Sequence, residues 1–203
     1  MTKNLKRHFP ATKSAALFTL LLLLPLMNGC VGFLAGAATG AVVAHDERSP
    51  ATILEDETIE VTAKEKLYQD KNLDKKIHIN VTSFNHVVLL TGEVLSHALR
   101  DYAVDIVSKV PKVKRVYNEI AVADLSTFAS RSNDTWITTK VKTNMLGAKG
   151  FDSTRVKVVT ERGSVYLMGI VTQEQGNRAA EIARHVEGVK RVVKMFQYIT
   201  APA

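Results

Sequence analysis

His86-Val-Val-Leu-Leu-Thr-Gly92 and Gly163-Ser-Val-Tyr-Leu-Met-Gly169 are one short pattern written twice, 77 residues apart. The run Ile79-Asn-Val-Thr82 falls on Val156-Lys-Val-Val159 at the same offset. Val113-Lys-Arg-Val116 falls on Val189-Lys-Arg-Val192 at an offset of 76. Self-similarity over this length implies two copies of one supersecondary unit, with one residue more in the first copy.

Working outward, each copy reads the same way. A short amphipathic helix (58–67; 135–146) precedes two strands of alternating character (77–83 and 86–92; 155–160 and 164–169). The hairpin turns are read at Phe84-Asn85 and at Glu161-Arg162-Gly163, where asparagine or glycine tolerates positive φ. A second helix follows (97–109; 173–186), started by Ser96 and Thr172 as N-caps. A last strand closes the unit (113–122; 190–199). The fold class is α+β: two tandem αββαβ domains, each a three-stranded sheet covered by two helices. Gly92 and Gly169 end the second strands and are read as structural, for close backbone approach or positive φ.

The stretch Thr135-Trp-Ile-Thr-Thr-Lys-Val-Lys-Thr-Asn-Met-Leu146 holds the single tryptophan of the chain. Ile137, Val141 and Met145 recur every four residues and should face the core. Trp136 lies one position round, with Lys140, Lys142 and Leu146 nearby. An indole beside lysines suits a membrane interface. The plainer reading is that Trp136 packs against the sheet. Charge separates the copies: residues 55–123 carry 10 basic and 11 acidic side chains, whereas residues 132–203 carry 11 and 6. At an offset of 77, Trp136 aligns with Ile59, flanked by Glu60 and Glu65.

The N-terminus reads as an address. Lys3, Lys6, Arg7 and Lys13 precede an apolar run and then Cys30, the one cysteine. This is the layout of a secretory signal, and the run is too short for a confident membrane span. Met27-Asn-Gly-Cys30 resembles the bacterial lipobox, which implies cleavage after residue 29 and lipidation of Cys30. Val31 follows in place of aspartate, which in that resemblance implies sorting to the outer membrane. Without residues 1–30 the balance is 23 basic to 20 acidic residues. No basic run suggests nucleic acid. Residues 30–54 read as a Gly/Ala-rich tether and polar linker, with a reach of about 30 Å. Residues 124–131 read as the interdomain linker, between domains at 55–123 and 132–203.

The αββαβ order, the glycine after the second strand and the Gly188-Val-Lys-Arg-Val192 entry to the last strand resemble the BON-domain family. The residues that carry this best are 132–141, 156–160, 165–172 and 188–192. A lipobox cysteine followed by two such units resembles the dual-BON outer-membrane lipoproteins. The resemblance implies a non-enzymatic, lipid-anchored protein facing the periplasm. Its second domain would bind anionic phospholipid (phosphatidylglycerol, cardiolipin) through its first helix, supporting outer-membrane integrity, with division sites as a destination. Trp136, Lys140, Lys142 and Leu146 are the expected contacts. A protein-interaction adaptor, docking on an envelope assembly or peptidoglycan-remodelling complex through the first domain, is the rival. No cofactor is expected. No phosphate loop or nucleophile elbow is present. The histidines show no metal-ligand spacing, so no metal site is expected.

Overall fold

The computed structural model describes residues 46–200 except Asp70, Asn72 and Asp74. The signal, Cys30 and most of the tether lie outside the described residues. No helix among the described residues is long and apolar enough to cross a membrane.

The first unit runs α1 (Pro50–Gln69), β1 (Ile77–Phe84), β2 (Val87–Val94), α2 (His97–Ser108) and β3 (Arg115–Val122). The second runs α3 (Phe128–Gly147), β4 (Lys157–Glu161), β5 (Ser164–Val171), α4 (Gln173–Arg184) and β6 (Arg191–Tyr198), with a single 3₁₀ turn at Ser153–Arg155. The sheets are ordered β1-β2-β3 and β4-β5-β6. In each, the hairpin pair is antiparallel and the third strand runs parallel to the middle one, reached through the second helix.

Both first helices are longer than their apolar periodicity indicated. Pro50, read as linker, opens α1, a position where its missing N–H costs nothing. Thr127 caps α3 by accepting from the Ser130 amide, so the Ser/Thr-rich segment at 124–131 is largely helix start. Ser96 and Thr172 cap α2 and α4 as expected, Thr172 in a reciprocal capping box with Gln175.

The hairpin turns differ by one residue from the sequence reading. Asn85 and His86 both take positive φ, as do Arg162 and Gly163, the pattern of tight turns matched to strand twist. Each turn is bound by an aspartate on the first helix. Asp56 accepts from the amides of Asn85 (2.7 Å) and His86 (2.8 Å); Asp134 accepts from those of Arg162 and Gly163, both at 2.8 Å. Asp56 lies in the 55–57 acidic run, which looks like ordinary linker or helix-start charge, yet it is buried. Burial acts to raise its carboxyl. Hydrogen bonds from Ser83, His86, Arg48 and Asn85 outweigh that and hold it below the usual carboxylate range. Its stabilising effect is therefore present above the ordinary value near 3.8 and lost as pH falls through the lower folded value.

These aspartates also reset the helix alignment. Asp56 and Asp134 are 78 residues apart, as are Ile59 and Ile137, Ala63 and Val141, and Leu67 and Met145, all buried. Trp136 therefore matches Thr58, not Ile59. The seams pack on Val88, Leu90 and Val94 in the first unit and on Val165, Leu167 and Val171 in the second. Each aliphatic side chain so buried contributes about 1.5–3 kcal/mol.

Alternate residues of the middle strands face the other way, and there the two sheets meet. Phe84 and Leu89 of the first pack with Tyr166 and Met168 of the second. Polar contacts ring this joint: Asn80 donates to Glu161 at 2.9 Å, Asn85 to Gln197 at 2.7 Å, and Arg191 to Glu119 at 2.7 Å. The order is helices, sheet, sheet, helices, so β2 and β5 are buried on both faces.

Gly92 and Gly169 lie inside β2 and β5, two residues short of their ends. Gly92 has φ +112°, and a Cβ there would stand 1.9 Å from the His78 carbonyl oxygen; at Gly169 it would stand 2.4 Å from that of Arg155. The structural reading of both thus has a physical basis. In the turn before β3, Lys112 (φ 70°) occupies the place of Gly188 (φ 92°), and Pro111 precedes it. Gly92→Ala should cost more than about 3 kcal/mol in urea unfolding. Gly147→Ala, where nothing lies within 4 Å, should stay within about 1 kcal/mol of the parent chain. Equal midpoints for the two variants would refute the close-approach argument.

Candidate functional site

The outer face of α3 is fixed by what its inner face binds. At about 100° per residue, Trp136 stands about 200° from Asp134 and cannot share its side. The indole is 60% exposed. Leu146 is 76% exposed, and Phe128, at the start of the same helix, 79%. Phe128 and Leu146 are 18 residues apart, five full turns, so they project in the same direction with Trp136 about 80° round. The expected face thus contains an aromatic residue that sequence reading placed in a linker. Thr127 as an N-cap was the signal that could have found it.

The lysines divide. Lys142 is exposed and forms no ion pair among the described residues. Lys140 donates to the backbone carbonyl of Glu187 at 2.9 Å and lies 3.6 Å from its carboxylate. It pins α3 to the turn before β6, and its charge is partly neutralised there. Of the four residues expected to contact lipid, Trp136, Lys142 and Leu146 are presented to solvent, whereas Lys140 has a structural bond as well. On α1, the position of Trp136 is taken by Thr58, and Lys142 is matched by Lys64, which pairs with Glu60.

α1 carries a different surface. Leu54, Val61 and Tyr68 recur at seven-residue spacing and are all exposed. Beside them lies a groove of about 380 Å³, lined by Leu54, Ile59, Val110 and Pro111 among others. The ion pair Lys112–Glu55 (2.6 Å) stands at its edge.

At the joint between the sheets the fold gathers three groups that linear spacing kept apart. His78 Nδ1 lies 3.0 Å from Glu93 Oε2, and Glu161 reaches the same point, all three ligand atoms lying within 4.8 Å of one another. Glu93 and Glu161 are buried, and Arg162 lies 3.5 Å from Glu93. Histidines read as scattered therefore include one placed between two carboxylates. Burial raises the Glu161 carboxyl above its usual range; repulsion from Glu93 adds to this, and the hydrogen bond from Asn80 offsets part of it.

The BON-domain model matches residues 55–124 and 133–200. The chain belongs to the BON-domain family, with two copies of the domain. It is 39% identical over 174 residues to outer membrane lipoprotein DolP of Haemophilus influenzae, covering 85% of this chain and 90% of that one. It is 35% identical to a 21 kDa hemolysin of Actinobacillus pleuropneumoniae (76% and 79% covered). It is 32% identical to the osmotically-inducible protein Y of Escherichia coli (76% and 78%).

Glu161 generates a prediction about stability. Its raised folded value means that the charged form is disfavoured. Its contribution is full below the ordinary value near 4.5 and is lost as pH rises through the folded value. Glu161→Gln keeps an oxygen to accept from Asn80 but removes the charge. In EDTA at pH 7 it should raise Tm by about 2–4 °C per kcal/mol gained, with the gain vanishing at pH 4. A lower Tm at pH 7 would show that the carboxylate is net stabilising.

Proposed function

We propose that this protein is an outer-membrane-anchored periplasmic lipoprotein whose second domain binds anionic phospholipid through the outer face of α3. The observation that carries the reading is the exposed indole of Trp136, flanked along one helix by Phe128, Leu146 and Lys142. The indole and two further large apolar side chains on one helix are largely exposed and belong to no core cluster among the described residues. At a headgroup layer they gain apolar burial while the indole N–H stays hydrated. The second domain's excess of basic residues favours phosphatidylglycerol or cardiolipin, each cation near an anionic surface contributing about 1 kcal/mol. Lipidation at Cys30 would hold the domain beside the bilayer at an effective concentration of about millimolar or higher. A contact of only about 4 kcal/mol then suffices. The acyl chains select the membrane, and α3 selects the patch of it. The name of the Haemophilus relative agrees with this placement. Support of outer-membrane integrity, with enrichment at division sites, follows from such selection. The proposed action is binding, with no catalytic step.

A second reading has its own observation. The Leu54–Val61–Tyr68 stripe and the adjoining apolar groove suit a protein segment docking on the first domain, as an envelope adaptor would require.

Cosedimentation of the full chain with phosphatidylglycerol vesicles tests the lipid reading. Trp136→Glu should reduce binding at least about tenfold, or about 1.4 kcal/mol, with Tm changed little because the side chain belongs to neither domain's core. Leu54→Glu should leave vesicle binding intact. Unaltered binding by Trp136→Glu would remove α3 from the account, and loss in Leu54→Glu alone would move the contact to α1.

A further inference from the structure

We propose that His78, Glu93 and Glu161 form a site for a zinc-like divalent cation that ties the two domains together. One ligand comes from each of β1, β2 and β4, so the site exists only where the two sheets meet. Exposed acidic clusters are common and mean little, but here both carboxylates are buried, Glu93 completely and Glu161 to 6% exposure. A buried carboxylate pair needs a compensating positive charge close by. Arg162 supplies one only at 3.5 Å and from a half-exposed position.

The donor set is imidazole plus two carboxylates, a combination that suits zinc with one position left open. The three ligand atoms lie within 4.8 Å of one another. A tetrahedron with bonds of about 2.1 Å has edges of about 3.4 Å, so side-chain shifts of about 1 Å close the site. His78 Nδ1 already faces Glu93 at 3.0 Å, and a cation would take the place of the proton between them.

Outer partners are also in place, as metal ligands require. Asn80 orients Glu161 by donating to its Oε2, and the Ser126 amide donates to Glu93 Oε2 at 3.2 Å. The fourth position opens on a cleft of about 210 Å³ lined by His78, Asn80, Asp134, Thr138 and Glu161. Two of these, Asp134 and Thr138, belong to α3. A cation there would stiffen the attachment of the helix whose far side carries Trp136.

The test is a zinc titration of the full, tag-free chain after EDTA treatment and dialysis, followed by competition with a chromophoric chelator and by cobalt absorption. One zinc per chain with Kd of about 10 µM or tighter is expected, near 7 kcal/mol. Cobalt should give the intense visible bands of a four-coordinate site, and zinc should raise Tm. His78→Gln and Glu161→Gln should each weaken binding at least tenfold and abolish the Tm rise, with metal-free circular dichroism like that of the parent. His185→Gln, on the exposed end of α4, should bind as the parent does. Binding retained in His78→Gln and Glu161→Gln, or lost in His185→Gln, would overturn the site, as would no saturable binding below about millimolar zinc. If both site variants fail to fold, the parent chain decides: perturbation of the His78 ring resonances by one equivalent of zinc supports the proposal, and their invariance refutes it.

Discussion

The bond from Asp134 to the Arg162–Gly163 turn sets the rotation of α3, and the rest of the site follows from that rotation. Two amides in a tight turn would otherwise be left without partners inside the domain, at about 1–3 kcal/mol each. The carboxylate on the first helix satisfies both. Ile137, Val141 and Met145 then lie over the sheet, and residues on the other side have no choice but to face out. The same device, Asp56 on the Asn85–His86 turn, orients α1. One scaffold thus presents two outward helix faces. What differs is their content: an indole, Phe128, Leu146 and a free lysine on α3, against a Leu–Val–Tyr stripe and paired charges on α1.

The second constraint is the meeting of the sheets. A three-stranded sheet with helices on one face leaves its other face open, and each unit is too small to waste it. Packing Phe84 and Leu89 on Tyr166 and Met168 covers both faces at once. The consequence is a joint with apolar contacts at its centre and polar groups around them. Glu93 and Glu161 are drawn inside because their strands continue into the interface, and His78, Asn80 and Arg162 answer them. The joint leaves the Trp136 side of α3 exposed, while the side at Asp134 and Thr138 shares a cleft with His78 and Asn80 of the first domain's sheet.

Much of this was legible in the sequence. The duplication fixed the element order, and the valine and leucine alternation located all six strands to within two or three residues. Ser96 and Thr172 announced their helices. Buried polar chemistry was not legible. Asp56 sits among acids that look like ordinary helix-start charge, and only the folded turn shows that it is a ligand for backbone amides. The alignment of Trp136 with Ile59 failed for the same reason: strands were matched at 77 residues, but the helices obey 78, because the spacer between helix and hairpin differs by one. Phe128 was missed because a Ser/Thr-rich segment looks like linker until Thr127 is seen to cap. His78, Glu93 and Glu161 are up to 83 residues apart, and no spacing rule joins groups that meet only across a domain interface.

The fold holds the indole outward, and the proposed function requires a lipid surface to take it. Emission from the single tryptophan reads it directly, in the full chain titrated with phosphatidylglycerol vesicles carrying brominated acyl chains. A red, solvent-exposed spectrum is expected in buffer, shifting to the blue and quenched by the brominated lipid, with little change on neutral phosphatidylcholine. Emission already blue in buffer, or unmoved by anionic vesicles that nonetheless bind the protein, would contradict it.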